Sequence, residues 1–332
     1  MSNPKILVTG GAGYIGSHST RLLADQGYSI IVVDNLVYGH REAILSPEVE
    51  LIVGDIGDKV LMHNIFSKND IDMVLHFAAY AYVGESVTDP EKYYQNNIAA
   101  PLNLLGVMKE HDCRRFIFSS TCATYGNPEY IPIDENHPQN PINPYGKSKK
   151  MLETVLMDYA AAYDFHYVFL RYFNAAGASL DGKIGEDHDP ETHLIPLILD
   201  AVTGDRDHIT VFGTDYDTPD GTAVRDYIHV ADLARAHLLA VEHLSGGGDS
   251  LICNLGTGNG HSVKEVIAAA ERVTGNTVPV VYGERRAGDP PRLVANPSFA
   301  KEALGWEAEY KDIDPIIASA WKWKNGSRSG HY

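Results

Sequence analysis

Tyr145 and Lys149 stand four residues apart in a stretch, Tyr145 to Ala162, whose apolar spacing predicts a helix, so both side chains leave on one face. A tyrosine hydroxyl of ordinary pKa, near ~10, is a poor base at neutral pH. A neighbouring ammonium and a further positive charge favour the phenolate, which can take a proton from an alcohol as hydride leaves the adjoining carbon. Such a pair also recurs by chance, as an aromatic flank beside a solvated lysine. Upstream, Ser119-Ser120-Thr121 closes a predicted strand at the sheet edge where ligands of open α/β folds collect, and Thr121 can hydrogen-bond the hydroxyl on which Tyr145 acts.

Gly10-Gly11-Ala12-Gly13-Tyr14-Ile15-Gly16 falls between the first predicted strand, Lys5 to Thr9, and the first predicted helix, Ser17 to Gln26. Glycine at 10, 13 and 16 lets the chain turn tightly and lets a pyrophosphate rest on main-chain N–H groups at the positive end of a helix. The second strand ends at Asp34, where a carboxylate accepts from a ribose 2′-hydroxyl and repels a 2′-phosphate, so NAD is favoured over NADP. Asp55, after the third strand, either reaches the adenine end or is simply solvated.

These residues need a parallel sheet to hold them. Short β-branched runs at Lys5–Thr9, Ser29–Asp34, Val49–Val53, Met73–Phe77, Phe116–Ser119 and Tyr167–Leu170 alternate with helical patterns at Ser17–Gln26, Lys59–Ser67, Tyr93–Glu110 and Tyr145–Ala162. Right-handed crossovers place those helices on both faces, giving an α/β, Rossmann-type doubly wound fold. After Asn174 the texture turns rich in Gly, Asp, His and Pro. Residues 1–174, together with about 226–254, are therefore expected to form a dinucleotide-binding domain, and 175–332 mainly a smaller, loop-rich α/β lobe. Within that lobe Ser262-Val263-Lys264-Glu265 reads as a capping box opening a helix that Gly275 closes. The polar tail after Lys324 is expected to fray.

The 332 residues carry a net charge of −17, which repels phosphate backbones and anionic lipid, so nucleic acid and membrane surfaces are excluded as partners. With no cleavable h-region ahead of Lys5 and no long apolar run, a soluble cytoplasmic protein is expected. Cys113, Cys122 and Cys253 form no C-x-x-C pair and read as buried thiols. His76 and His229 read as interior histidines. Gly185-Glu186-Asp187-His188-Asp189 gathers metal-capable side chains, yet its spacing fits no helix or hairpin site, and it reads as a solvated loop without metal.

Taken together, Gly10 to Ser17, Gly84-Glu85-Ser86, Tyr93 to Asn97, Phe116 to Gly126, Pro144 to Lys149, Arg171 to Asn174, Gly221 to Val230, Asn254-Leu255-Gly256 and Arg285 to Asp289 resemble the extended short-chain dehydrogenase/reductase family, in its sugar-nucleotide 4-epimerase branch. The likeness covers nearly the whole chain. It implies interconversion of UDP-galactose and UDP-glucose through a 4-keto sugar, using a tightly bound NAD that is regenerated in each cycle. Tyr145 is then the acid/base, Lys149 its electrostatic partner, and Thr121, where many members have Ser, the donor near the 4-hydroxyl.

The resemblance also places Gly10, Gly13, Tyr14, Ile15, Gly16, Asp34, Asn35, Asp55, Ile56, Phe77, Ala78, Ala79, Asn97, Ser119 and Tyr172 around NAD, with Tyr145 and Lys149. It places Asn174, His193, Leu194, Thr210, Val211, Phe212, Arg225, Tyr227, Arg286, Asp289 and Leu293 around the UDP-sugar, with Thr121 and Tyr145. Where Ala81 stands the family often has a lysine near the pyrophosphate. Dehydratase and decarboxylase siblings usually carry a Glu, often after an Asp, just beyond the Ser-Thr pair. Cys122 and Ala123 there supply no carboxylate, which disfavours elimination.

One fixed nicotinamide must meet both faces of the ketone, so the pocket is expected to grip the diphosphate, through Arg225 and Arg286, and to let the hexose turn. Leu293 implies room for hexose and weak turnover of N-acetylhexosamine. A homodimer paired through the Tyr93–Glu110 and Tyr145–Ala162 helices is implied by the likeness alone. Competing readings are a 4-epimerase of UDP-glucuronate, a UDP-pentose or UDP-N-acetylglucosamine, and a non-catalytic NAD-binding regulator.

Overall fold

The first strand, β1 (Lys5–Thr9), sends Ile6 and Val8 into one apolar cluster and Leu7 into another, and all three are fully buried. A strand covered on both faces belongs inside a parallel sheet packed between helices. The computed structural model, which describes residues 3–286, 289–326 and 330–332, shows that sheet. Along the chain follow β2 (Ser29–Asp34), β3 (Glu50–Val53), β4 (Met73–His76), β5 (Arg115–Thr121) and β6 (His166–Tyr172). Three strands of a second region come next, β7 (Asn174–Ala176), β8 (Ile209–Phe212) and β9 (Val224–His229), before β10 (Leu251–Leu255) returns to the first. The seven-stranded sheet runs β3-β2-β1-β4-β5-β6-β10, all parallel. Its order reverses between β1 and β4, so the loops leaving those two strands part and open a crevice at the carboxyl edge.

One face is covered by α1 (Tyr14–Asp25), whose Leu23 meets Leu233 and Val241 in the same cluster. The other is covered by α2 (Lys59–Lys68), with Met62 and Phe66. Helix α1 starts three residues ahead of the predicted Ser17, directly off the glycine loop, with Ser17 N–H donating to the Gly13 carbonyl at 2.9 Å. The predicted Tyr93–Glu110 helix forms without a gap but carries a π turn in its middle. After α3 (Val83–Thr88) come α4 (Pro90–Tyr94), a π turn over Gln95–Ala99 and α5 (Ala100–Glu110). Pro101 has no N–H to give to the carbonyl four residues back, and the ladder slips by one residue there.

The long helix carrying the Tyr–Lys pair is α6 (Pro144–Tyr163), followed in the second region by α7 (Leu194–Thr203). Helix α8 (Val230–Ser245) leads back to β10, and its Leu233, Ala236, Ala240 and Val241 face the large sheet. The remaining elements are β11 (Gly260–Ser262), α9 (Val263–Thr274), β12 (Val280–Gly283), β13 (Arg292–Leu293), α10 (Ser298–Leu304) and α11 (Ile313–Lys324). The capping box forms: Ser262 Oγ accepts from Glu265 N–H at 3.1 Å and Glu265 Oε2 accepts from Ser262 N–H at 2.7 Å. Gly275 closes α9 at φ +70°.

Strand β9 pairs with β7, β11 and β13, while β8 pairs with β12. Ile198 of α7, Val266 of α9 and Ile316 of α11 share a third core, so this region holds more regular structure than its Gly- and Asp-rich texture suggests. The last three residues do not fray. Tyr332 N–H donates to Asp187 Oδ2 at 2.9 Å and its ring stacks on His40, while Ser327–Ser329 lie outside the described residues. Among the described residues no helix is long and apolar enough to cross a membrane.

Candidate active site

The crevice between β1 and β4 is a cavity of about 560 Å³ walled by Gly10, Gly13, Asp34, Asn35, Asp55, Ile56, Phe77, Ala78 and Ala79. Gly10 turns at φ +72°, and a Cβ there would lie 2.5 Å from the Ala78 backbone nitrogen, so the two loops approach as closely as they do only because residue 10 is glycine. Asp34 closes the far side, its carboxylate accepting from Ala12 N–H at 3.0 Å and Leu36 N–H at 2.9 Å. Burial pushes its pKa up against those two hydrogen bonds. Asp55 accepts from Gly57 N–H at 2.7 Å and from the Asn35 amide at 3.2 Å, so it is a held wall group. A glycine cradle at a helix start with a carboxylate opposite fits a dinucleotide such as NAD.

Three predicted cofactor residues stand behind this wall. Ile15 packs on the sheet core. The Tyr14 hydroxyl donates to the Gly177 carbonyl at 2.6 Å. The Asn97 amide, turned inward by the π turn, holds Tyr80 N–H at 2.9 Å and the Tyr80 carbonyl at 3.0 Å. Gly16 lies within the first turn of α1 and is buried. Sequence reasoning missed Tyr38, on the cavity wall, and Lys92. The Lys92 ammonium sits 4.3 Å from the Tyr80 ring centroid and donates to Tyr38 Oη at 3.3 Å and Glu85 Oε1 at 2.7 Å. Beside Ala81, where the resemblance implied a lost cation, a lysine from α4 therefore approaches from behind the aromatic wall.

At the carboxyl end of β5 the chemistry-bearing side chains converge. Asn143 caps α6, accepting from Gly146 N–H at 2.8 Å, and Pro144 fills the first turn. A Cβ on Gly146 would stand 2.4 Å from the Ala123 carbonyl, so glycine there lets α6 settle onto the turn after β5. That contact brings Tyr145 beside Thr121. Burial drives the Tyr145 hydroxyl well above its ordinary value, and the Thr121 hydrogen bond works in the opposite direction. Lys149 is 4% exposed; its ammonium donates to the Ser119 carbonyl at 2.9 Å and lies 6.0 Å from the Tyr145 ring centroid. Burial lowers its pKa to about 7, against the pull of Glu153. Tyr172 shares a 2.9 Å hydrogen bond with Ser119 Oγ.

Behind Lys149 lies a buried network that sequence reasoning did not see. Glu153 and Arg171 form a two-pronged ion pair at 2.9 and 2.6 Å, and Glu153 also accepts from Ser120 at 2.6 Å and Gln139 at 2.9 Å. Arg171 donates to Tyr125 Oη at 2.9 Å, and Tyr125 donates to Asn254 Oδ1 at 2.7 Å, so β5, α6, β6 and β10 are locked together under the site.

From the second region, β9 brings Arg225 and Tyr227, with Asn174 opposite Tyr227 and Leu293 opposite Arg225. Arg225 is paired with Asp289 and donates to the Val224 carbonyl at 2.7 Å. The Arg286 guanidinium lies 4.1 Å over the Phe212 ring; Ala287 and Gly288, within the motif that carried it, lie outside the described residues. Leu293 and Cys122 each pack on the small apolar cluster of Tyr125, Ile133, Phe173 and Ala295. Cys113 and Cys253 are buried, but Cys122, which opens the turn directly after β5, is only partly so, a departure from three buried thiols. Thr210 stands on β8, Val211 buries its side chain in the third core, and Leu194 packs on that core.

Two further readings meet different outcomes. His229 is fully buried, its rings nitrogens engaged by Ser319 Oγ and Ala231 N–H at 3.0 Å each, and His76 is buried with Nδ1 2.7 Å from Thr9 Oγ1. The Gly185–Asp189 stretch is not a solvated loop. Glu186 is 8% exposed because Gly185 and Glu186 pass under the Trp323 ring, whose N–H donates to the Glu186 carbonyl at 3.0 Å. His193, expected beside the sugar nucleotide, turns its Nδ1 to Glu186.

Residues 6–256 match the model of the NAD dependent epimerase/dehydratase family. The chain belongs to that family. Among curated members, the UDP-glucose 4-epimerase of Streptococcus mutans is 50% identical over 328 residues, 98% of each chain. Among solved structures, UDP-glucose 4-epimerase from Brucella ovis in complex with NAD is 52% identical with a TM-score of 0.93, covering 96% of this chain and 97% of that one. The enzyme from Bifidobacterium longum in complex with NAD+ and UDP is 41% identical at TM-score 0.93, covering 98% and 99%. For this epimerase/dehydratase member, the Tyr145–Lys149–Thr121 cluster and the glycine cradle thus lie on a backbone that closely follows NAD-bound relatives.

Proposed function

We propose that the protein interconverts UDP-galactose and UDP-glucose by oxidation and re-reduction at C4. The observation that carries this reading is the meeting of Tyr145, Lys149 and Thr121 at the carboxyl end of β5, on the same sheet edge as the glycine cradle after β1, with no carboxylate at Cys122 or Ala123. NAD, which Gly10, Gly13 and Asp34 would help to hold, would supply a reversible hydride acceptor for C4 and a pyridinium charge that favours a phenolate. Asp34 selects the dinucleotide without a 2′-phosphate.

Tyr145 Oη takes the proton of the 4-hydroxyl and gives it back after the sugar has turned. Its burial makes the neutral phenol stable until positive charge arrives, and the Lys149 ammonium, tethered to the Ser119 carbonyl, supplies part of that charge. The Thr121 hydroxyl orients the same oxygen. Arg225 and Arg286 hold the diphosphate while the hexose turns against Leu293, whose size admits a hexose readily and an N-acetylhexosamine weakly. Residues 1–174 with about 226–254 carry the cofactor, and most of 175–332 carry the nucleotide sugar.

We read the protein as a homodimer, supported by Leu102 on α5 and Met151 on α6, large apolar side chains left exposed on neighbouring helices. Three free thiols suit a cytoplasmic location. The test is to add UDP-galactose to purified protein without NAD, look for UDP-glucose, and then denature the protein and assay released NAD. Product with about one NAD per chain supports the reading; an intact, NAD-loaded protein that forms no product sinks it.

A further inference from the structure

Glu186, His188, Glu191 and His193 lie in the segment that leads into α7, and each turns one ligand-capable atom toward a common point, all within 4.8 Å of one another. His188 Nδ1 stands 3.3 Å from Glu186 Oε1 and 3.7 Å from Glu191 Oε2, and His193 Nδ1 stands 3.9 Å from Glu191 Oε1. Donors bound tetrahedrally to zinc at ~2.0–2.1 Å are about 3.3 Å apart, so these spacings are those of ligands around one small ion. We propose that this cluster is a divalent transition-metal site, of zinc class, that ties the entry of α7 to the start of α1.

Within the cluster His193 Nδ1 is hydrogen-bonded to Glu186 Oε1, but the second imidazole is not satisfied in this way. His188 Nδ1 is buried, faces both carboxylates and makes no hydrogen bond to either. A lone pair aimed at a shared point is what coordination requires, and a buried N–H there would be wasted. Two imidazole nitrogens with two carboxylate oxygens match zinc, cobalt or nickel; magnesium and calcium take oxygen sets. Two carboxylates also neutralise a dication.

The ligands are held from outside. Glu191 Oε1 accepts from the backbone N–H groups of Thr192 at 2.6 Å and His193 at 2.7 Å, and the Trp323 indole holds the Glu186 carbonyl. The edge-on contacts of His188 with Tyr14 and Tyr82, at 6.3 and 5.9 Å between centroids, connect the cluster to the start of α1 and to the residue that precedes α3. A neighbouring cavity of about 510 Å³, walled in part by Glu186, His188 and Glu191, gives an ion a way in. The proton-abstracting chemistry at Tyr145 does not need this ion, and the site is independent of that reading.

The test uses the full-length, NAD-containing protein treated with a chelator, loaded with excess Zn2+ and desalted, with metal measured by mass spectrometry. About one zinc per chain, a Tm raised by roughly 5 °C with zinc in hundredfold excess over its Kd, and an intense visible band on Co2+ substitution support the site. His188→Ala and Glu191→Gln lose the retained metal and the Tm gain, whereas His111→Ala, which removes the surface His63–His111 pair, keeps both. Should either ligand variant fail to fold, the cobalt spectrum of the unaltered protein decides: the faint band of the hexaaqua ion overturns the proposal. Retention below ~0.2 zinc per chain, or full retention by folded His188→Ala, overturns it too.

Discussion

Replacing Lys149 by methionine should make the protein inactive and, at neutral pH, more stable. The ammonium is buried, and its pKa falls from an ordinary 10.5 to about 7 because water is excluded from it. At ~1.4 kcal/mol for each tenfold change, holding that charge costs roughly 4 kcal/mol at pH 7. The sign follows from proton counts: between pH 7 and 10.5 the unfolded chain binds the proton that the folded chain has released, so stability rises with pH. Below pH 7 both states are protonated and the penalty is complete.

Methionine removes the charge but leaves the Ser119 carbonyl without its 2.9 Å donor, a loss of about 1–3 kcal/mol, so the net gain at pH 7 is about 1–3 kcal/mol. Urea unfolding followed by tryptophan fluorescence, on both proteins freed of dinucleotide, measures it. The gap between variant and parent should shrink by about 3 kcal/mol, and change sign, by pH 10. A variant less stable than its parent at pH 7, or a gap constant from pH 7 to 10, would refute the reasoning.

Glu153→Gln leaves the Arg171 guanidinium buried beside a neutral amide and should cost about 3–5 kcal/mol, read as a lowered urea midpoint with bound NAD content unchanged in the folded fraction. Gly146→Ala should reduce turnover by at least about tenfold, because a Cβ 2.4 Å from the Ala123 carbonyl must lift α6 and Tyr145 away from Thr121; steady-state kinetics give the number. Leu293→Gly should raise kcat/KM for UDP-N-acetylgalactosamine relative to UDP-galactose, by about tenfold for the space gained, in a coupled assay of both substrates.

The sheet was legible because its strands are buried on both faces and read as runs such as Ser29–Asp34, while Gly10, Gly13 and Asp34 announce a cradle by chemistry that few other purposes require. Tyr145, Lys149 and Thr121 were legible for the same reason, a spacing of four on a helix and a strand end. What stayed hidden depends on contacts between residues far apart in the chain. The π turn at Gln95–Ala99 follows from one missing N–H at Pro101, which apolar periodicity does not weigh. Glu153 and Arg171 are 18 residues apart and look like ordinary surface charges until the fold buries both. Glu186 reads as a solvent-facing acid because nothing local says that Trp323, 137 residues on, will cover it.

The central claim is that Tyr145 and its neighbours work on a hydride that leaves C4 and comes back to the same carbon. UDP-galactose carrying deuterium at C4, converted in ordinary water without added cofactor, tests it most directly. The UDP-glucose formed should keep its deuterium at C4, and Tyr145→Phe should hold its NAD while losing at least about a hundredfold in rate. Product whose C4 label has been exchanged for solvent hydrogen would show that the carbon–hydrogen bond is broken as a proton, and would contradict the account.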